Sequence, residues 1–140
     1  MDLEQLIRFF HEQIPFNRHL DMRVEEVEPG RCRVRIPFAE HLVGDPFRPA
    51  LHGGVLSTLA DAAGGLAVFS TIDMQKMRVA TVDLRVDYLR PGLLEDLLCD
   101  ARVVRVGNRV TVSQMTLHHG DPDYVAAEAR GVYNLVRVRT

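Results

Sequence analysis

The chain has 140 residues, with 17 Lys and Arg against 19 Asp and Glu, and a formal charge of −2. That length fits one domain, expected to span residues 1–140, and a domain this size buries roughly 68% of the surface its unfolded chain exposes. The 46% apolar content excludes a disordered chain, the near-neutral charge excludes a strongly basic nucleic-acid binder, and two cysteines, Cys32 and Cys99, exclude a disulfide scaffold.

Charges run through the first segment (Asp2, Glu4, Arg8, Glu12, Arg18), so no secretory leader core is visible and a cytoplasmic location is expected. Leu3, Leu6, Ile7 and Phe10 recur at i, i+3, i+4 and i+7, which predicts an N-terminal helix within residues 1–14. Ile14-Pro15 ends it, because proline keeps the preceding residue out of helical angles. The period then changes to two. Met22 to Glu28 and Arg31 to Ile36 read as strands around a Glu28-Pro29-Gly30 turn, with Cys32, Val34 and Ile36 sharing one face.

Gly53 to Ile72 is a 20-residue stretch with one charge, Asp61. Its length would suit a membrane span, but four glycines, Ser57, Thr58, Ser70 and a central carboxylate argue against one. A helix over 53–72, buried on nearly all sides, is the expectation. Leu56, Leu59, Ala60, Ala63 and Ala67 recur at helical spacing, while Ser57, Asp61 and Gly64-Gly65 form a small polar stripe. Strands follow. Val82, Leu84, Val86 and Tyr88 alternate with Asp83, Arg85 and Asp87. Leu97 to Val106 and Arg109 to Leu117 flank Gly107-Asn108, which predicts a two-residue hairpin turn. Tyr124 to Val138 is the last strand, bent near Gly131. Helix, hairpin, long helix and about four strands make an α+β fold with a largely antiparallel sheet.

The chemistry concentrates at Leu51-His52-Gly53-Gly54, where two glycines open the long helix. Backbone N–H groups there are bare of side chains and sit at the positive end of the helix dipole, suited to polarising a carbonyl or holding an oxyanion. His52 stands beside them. Asp61 lies in an apolar wall, where a carboxylate is costly unless it is paired, protonated or lining a cavity. A structural carboxylate within a buried network is the competing reading. Gly53 and Asp61 are separated by roughly 12 Å along one helix, at about 1.5 Å per residue. They cannot both touch one reacting atom in one chain. A second copy of the helix, antiparallel across a two-fold axis, would bring them together, so the chemistry itself points to a homodimer.

His52-Gly53-Gly54, Leu59-x-Asp61 and Gly64-Gly65-x-Ala67 together resemble the signature of the hotdog-fold acyl-CoA thioesterases, in the phenylacetate-degradation branch of the 4-hydroxybenzoyl-CoA thioesterase-like superfamily. Thr81-Val82-Asp83-Leu84-Arg85-Val86-Asp87-Tyr88-Leu89-Arg90-Pro91 supports the resemblance, which covers roughly residues 20–137. It implies a long central helix wrapped by a curved antiparallel sheet, and active sites at a dimer interface. It also implies an acyl-CoA substrate, no metal, and no cofactor beyond the CoA that belongs to the substrate. By this resemblance the Gly53 N–H polarises the thioester carbonyl and Asp61 of the other chain acts as nucleophile or general base. His52 shapes the thioester region, and Thr81 orients the attacking water. The dimer is expected to assemble further to a tetramer.

Two positions depart from the family pattern. Pro46 stands where Asn or Gln is frequent, and Gly65 where Ser or Thr is frequent, so more weight falls on Thr81. With Gly54, both are expected to line the substrate site. Arg48, Arg90 and Arg109 are candidates for the CoA phosphates, since Arg suits phosphate oxygens. An acyl-CoA hydratase or dehydratase on the same fold is an alternative, less suited to an acid nine residues after His52. A non-catalytic acyl-CoA-binding module is another, kept open by Pro46. His118-His119 is read as a polar loop, because neighbouring strand residues point to opposite faces.

Overall fold

The computed structural model describes residues 2–139. It places an N-terminal helix, a β-hairpin, a long helix and four strands in the expected order, with two additions.

Helix α1 spans Leu3–Glu12 and buries Leu6 and Phe10. Asp2 and Gln5 form a reciprocal capping box: the Asp2 carboxylate accepts from Gln5 N–H at 2.8 Å and the Gln5 side chain accepts from Asp2 N–H at 3.0 Å. The expected helix over 1–14 therefore ends two residues early. Ile14 is extended, and Pro15 starts a second short helix, α2 (Pro15–His19), at a position where its missing N–H costs nothing. The proline that closes one helix opens the next.

Strands β1 (Arg23–Glu28) and β2 (Arg31–Ile36) pair antiparallel through Pro29 and Gly30, the latter at φ +81°, which suits glycine in a turn. Val34 and Ile36 are buried against the long helix side of the sheet, and the Cys32 thiol donates to Ala63 O at 3.2 Å. A two-stranded hairpin that the sequence pattern did not signal follows, β3 (Val43–Asp45) with β4 (Ala50–Leu51). It leads directly into α3.

Helix α3 spans Gly53–Phe69, shorter than the expected 53–72. The Ser70 hydroxyl turns back to Ala67 O at 2.6 Å, and Thr71 to Val68 O at 2.7 Å. Ser70 Oγ also accepts from Gly30 N–H at 2.8 Å. These hydroxyls compete with the helical ladder and pin its end to the β1–β2 turn. Leu56, Leu59, Ala60, Ala63, Leu66, Ala67 and Val68 are all buried, so the apolar stretch is core. Among the described residues, no helix is long and apolar enough to cross a membrane.

Strands β5 (Met77–Tyr88), β6 (Leu97–Val106), β7 (Val110–His118) and β8 (Val125–Arg137) complete a six-stranded antiparallel sheet in the order β1-β2-β6-β7-β8-β5, with α3 packed across it. The β6–β7 connection is a three-residue loop, Gly107 to Arg109, closed by Gly107 N–H to Val110 O at 2.9 Å. Neither Gly107 nor Asn108 has a positive φ, so the expected two-residue mirror-image turn does not form. The expected irregularity at Gly131 lies instead on its neighbour: the register of β5 against β8 shifts between Thr81 and Asp83, a bulge at Val82.

Candidate active site

The Val82 bulge sets the site. An extra residue reverses the in–out alternation of a strand. Before it, Val79 and Thr81 face α3; after it, Leu84, Val86 and Tyr88 do. Val82 itself is 64% exposed, so it does not share the face expected for Val82, Leu84, Val86 and Tyr88. Because of this phase change, one strand sends Thr81 to the middle of α3 and Tyr88 to its start.

At the middle, the Thr81 hydroxyl donates to Asp61 Oδ1 at 2.7 Å. Asp61 Oδ2 has no partner among the described residues. The Tyr133 hydroxyl donates to the Asp61 backbone carbonyl at 3.0 Å. Burial, and then the neighbouring Asp61 charge, push the Tyr133 pKa well up, so it remains a donor. Its ring occupies space left by two glycines. A Cβ on Gly64 would overlap the Tyr133 hydroxyl and stand 2.9 Å from Met115 Sδ, and a Cβ on Gly131 would stand 2.5 Å from the Tyr133 ring. Gly65 differs, since a Cβ there meets Tyr133 only at 3.5 Å, and Gly65 lines a cleft with Asp61 and Thr81.

At the helix start, His52 is the N-cap, and its Nδ1 accepts from Gly54 N–H at 2.8 Å. The accepting Nδ1 carries no proton, so in this geometry the neutral ring carries it on Nε2. The two glycine N–H groups thereby separate in role. That of Gly54 is consumed by His52, and that of Gly53 has no acceptor among the described residues. His52 is held by close packing, because a Cβ on Gly44 in β3 would stand 2.5 Å from His52 Cα. Its own N–H donates to Leu42 O at 2.8 Å. Tyr88 spans the outside of the same turn, donating to Gly53 O at 3.0 Å and touching Ser57 Oγ.

The remaining candidates scatter. Pro46, which has no N–H to donate, lies in an exposed turn in which Asp45 Oδ1 accepts from Phe47 and Arg48 N–H at 2.9 and 3.0 Å. Arg90 lines a hollow of about 320 Å³ with Gly53, Leu56 and Tyr88, donates to Val125 O at 3.0 Å and lies over the Tyr124 ring. Arg48 is two residues from Ala50, which lines the same hollow. Arg109 sits with Arg105 in a separate hollow holding none of the other candidates. A polar hollow of about 620 Å³ beside Arg33 and Asp100 also holds none of them. His118 and His119 point apart as expected, the first to Asp100 at 2.8 Å, the second accepting from Leu93 N–H at 2.9 Å, but His118 is the buried last residue of β7 and not part of a polar loop. Tyr88 and Tyr133 are the positioning residues that spacing alone did not single out. For Tyr133 the available signal is glycine at positions 64 and 131, the space its ring needs.

A helix start with one open N–H, and a carboxylate held two turns away beside a threonine, suit chemistry at a carbonyl. The sequence model of the Thioesterase superfamily matches residues 49–126. The chain belongs to that superfamily. As a member it is a thioester hydrolase, with the helix-in-sheet hotdog architecture that the resemblance implied. The thioesterase is 35% identical over 130 residues to the medium/long-chain acyl-CoA thioesterase YigI of Escherichia coli, covering 84% of each chain. It is 41% identical over 118 residues to the Halobacterium salinarum protein VNG_1336C, covering 83% of this chain and 78% of that one. Among solved structures, a thioesterase family protein from Silicibacter pomeroyi superposes with a TM-score of 0.87 at 26% identity, over 96% of this chain and 98% of that one.

Proposed function

We propose that this thioesterase hydrolyses acyl-CoA esters, R–CO–S–CoA + H₂O → R–COOH + CoA–SH, at two sites shared between the chains of a homodimer. The observation that carries this reading is the pairing of an unused Gly53 N–H with an Asp61 carboxylate that has one oxygen bonded and one free. Gly53 N–H binds the thioester oxygen, aided by the positive end of α3, and stabilises the charge that develops on it. Asp61 of the second chain supplies the base. About 12 Å of helix separates the two groups within one chain, at about 1.5 Å per residue.

General-base action is favoured over direct attack by Thr81. Its hydroxyl gives its hydrogen to Asp61 Oδ1 and keeps lone pairs for a water, which Asp61 Oδ2 then deprotonates. The hydroxide adds to the carbonyl carbon, the C–S bond breaks, and the proton held by Asp61 passes to the leaving thiolate. Arg90, in the hollow that contains Gly53, and Arg48, two residues before Ala50 of the same hollow, are assigned to the CoA phosphates. Similarity to YigI supports the choice of an acyl-CoA substrate.

Release of free thiol from a series of acyl-CoA esters tests the reading. Asp61→Asn is expected to lose about 10²–10⁴ in kcat, and equal rates for the folded variant and wild type would refute it. In a single turnover in ¹⁸O-water, general-base attack places the label in the product acid alone, and label recovered in Asp61 would show an Asp61–acyl anhydride opened at the Asp61 carbonyl.

A further inference from the structure

A cleft runs along α3 from the catalytic carboxylate to the far end of the helix, under the two N-terminal helices. Asp61 and Thr81 line it together with Leu6, Phe9, Leu66 and Phe69. Asp61 is the one charged side chain in its lining, and the cavity measures about 270 Å³. The wall is anchored at three places. His11 Nε2 accepts from Val24 N–H at 2.9 Å and ties α1 to β1, the buried Asn17 amide donates to Phe10 O at 3.2 Å and ties α2 to α1, and the capping box fixes the start of α1. Phe9 and Phe69 both line the cleft and meet edge to face, 6.1 Å between centroids, at the last residue of α3.

We infer that this cleft seats the acyl chain of the substrate, that α1 and α2 form its outer wall, and that the Phe9–Phe69 pair limits the chain to medium length. The inference rests on the acyl-CoA hydrolase reading above and adds to it the place and size of the acyl group. The helix sets the size. Eight residues separate Asp61 from Phe69, or roughly 12 Å at about 1.5 Å per residue. An extended hydrocarbon with bonds of about 1.5 Å advances ~1.3 Å per carbon, giving about nine carbons. Gly65 contributes to the fit, since it lines the cleft without a side chain. Each methylene moved from water to these walls is expected to raise kcat/KM roughly fourfold until the aromatic pair is reached.

The test is a ladder of saturated acyl-CoA esters from butanoyl to palmitoyl, run on wild type, Phe69→Ala and Ala62→Leu. Wild type is expected to peak at octanoyl to decanoyl. Phe69→Ala removes the stop and moves the peak to longer esters, while Ala62→Leu fills the cleft and moves it to shorter ones. Because the shifts are opposite in sign, a general loss of stability cannot imitate both. Unmoved peaks in both variants would overturn the inference. A second readout does not need turnover: S-decyl-CoA, a thioether that resists hydrolysis, should raise the melting temperature of wild type more than free CoA does, and of Ala62→Leu no more than free CoA. Equal shifts with S-decyl-CoA and CoA on wild type would overturn the cleft assignment. The same discrimination in a protein that hydrolyses no ester would uphold the cleft and refute the hydrolase reading instead.

Discussion

Gly53→Pro replaces the backbone N–H hydrogen with a ring carbon. Gly53 is the first residue of α3, the position where proline is best tolerated, since its fixed φ is helical and no intrahelical bond is lost. His52 before it has ψ 132°, within the range a following proline requires. The N–H that disappears has no acceptor in the described chain, so no protein hydrogen bond is broken. A Cβ at this site meets Tyr88 Cε1 at 3.3 Å, at the end of an exposed side chain that can give by a few tenths of an ångström. Stability should therefore change by no more than about 0.5 kcal/mol. Turnover should change far more. Loss of one donor to a developing oxyanion costs about 10²–10³ in kcat, or ~2.7–4 kcal/mol of transition-state stabilisation. Urea denaturation reports the first quantity and thiol release the second. Gly53→Ala adds the same Cβ but keeps the N–H, and should lose much less activity. A Gly53→Pro protein with wild-type stability and a kcat within a few-fold of wild type would refute the assignment of this N–H.

Adjacent glycines should respond with opposite signs. Gly64→Ala gains ~1 kcal/mol of helix propensity but forces a Cβ into Tyr133 and Met115, a clash worth about 1–3 kcal/mol, and displaces the bond to Asp61 O, worth about 1 kcal/mol. Gly65→Ala meets only an ordinary contact and should stabilise by about 0.5–1 kcal/mol. Denaturation midpoints shifting in the same direction would contradict this geometry. Asp100 should contribute to acid sensitivity. Burial opposes its ionisation, but Arg33 at 2.6 Å and His118 at 2.8 Å outweigh burial and hold its pKa below the ordinary carboxylate value. Its contribution is present above about pH 3.9 and is lost as pH falls through the lower folded-state value. The group is partly exposed, so the effect is below about 1 kcal/mol, and Asp100→Asn should flatten the acid limb of stability against pH. Burial pushes the Cys32 thiol up to about 12 and raises Cys99 as well, so both should resist thiol reagents near neutral pH until the protein unfolds. Rapid modification of the native protein would contradict that burial.

Elements that depend on short-range pattern were legible in the sequence. The apolar run from Gly53, the alternation of Cys32, Val34 and Ile36, and the isolation of Asp61 each follow from a local rule, and each appears in place. Elements that depend on a balance between distant groups were not. The end of α3 at Phe69 reflects Ser70 bonding to a turn 40 residues earlier in the chain. Helix α2 required one proline to serve as both stop and start. The bulge at Val82 has no residue signature of its own, because valine suits either phase of a strand, yet it decides that Thr81 reaches Asp61 while Tyr88 reaches Gly53. Tyr133 was hidden for a related reason. The space for its ring is made by Gly64 and Gly131, 67 positions apart, and nothing local connects them.

The central claim is that Gly53 of one chain and Asp61 of another act on one thioester, and subunit mixing tests it directly. Gly53→Pro and Asp61→Asn chains should each be nearly inactive alone. Combined as unfolded chains and refolded together, half the dimers should be mixed, and each mixed dimer regains one intact site, so thiol release should return to about a quarter of the wild-type rate. A mixture no more active than the mean of its two inactive components would contradict the shared site.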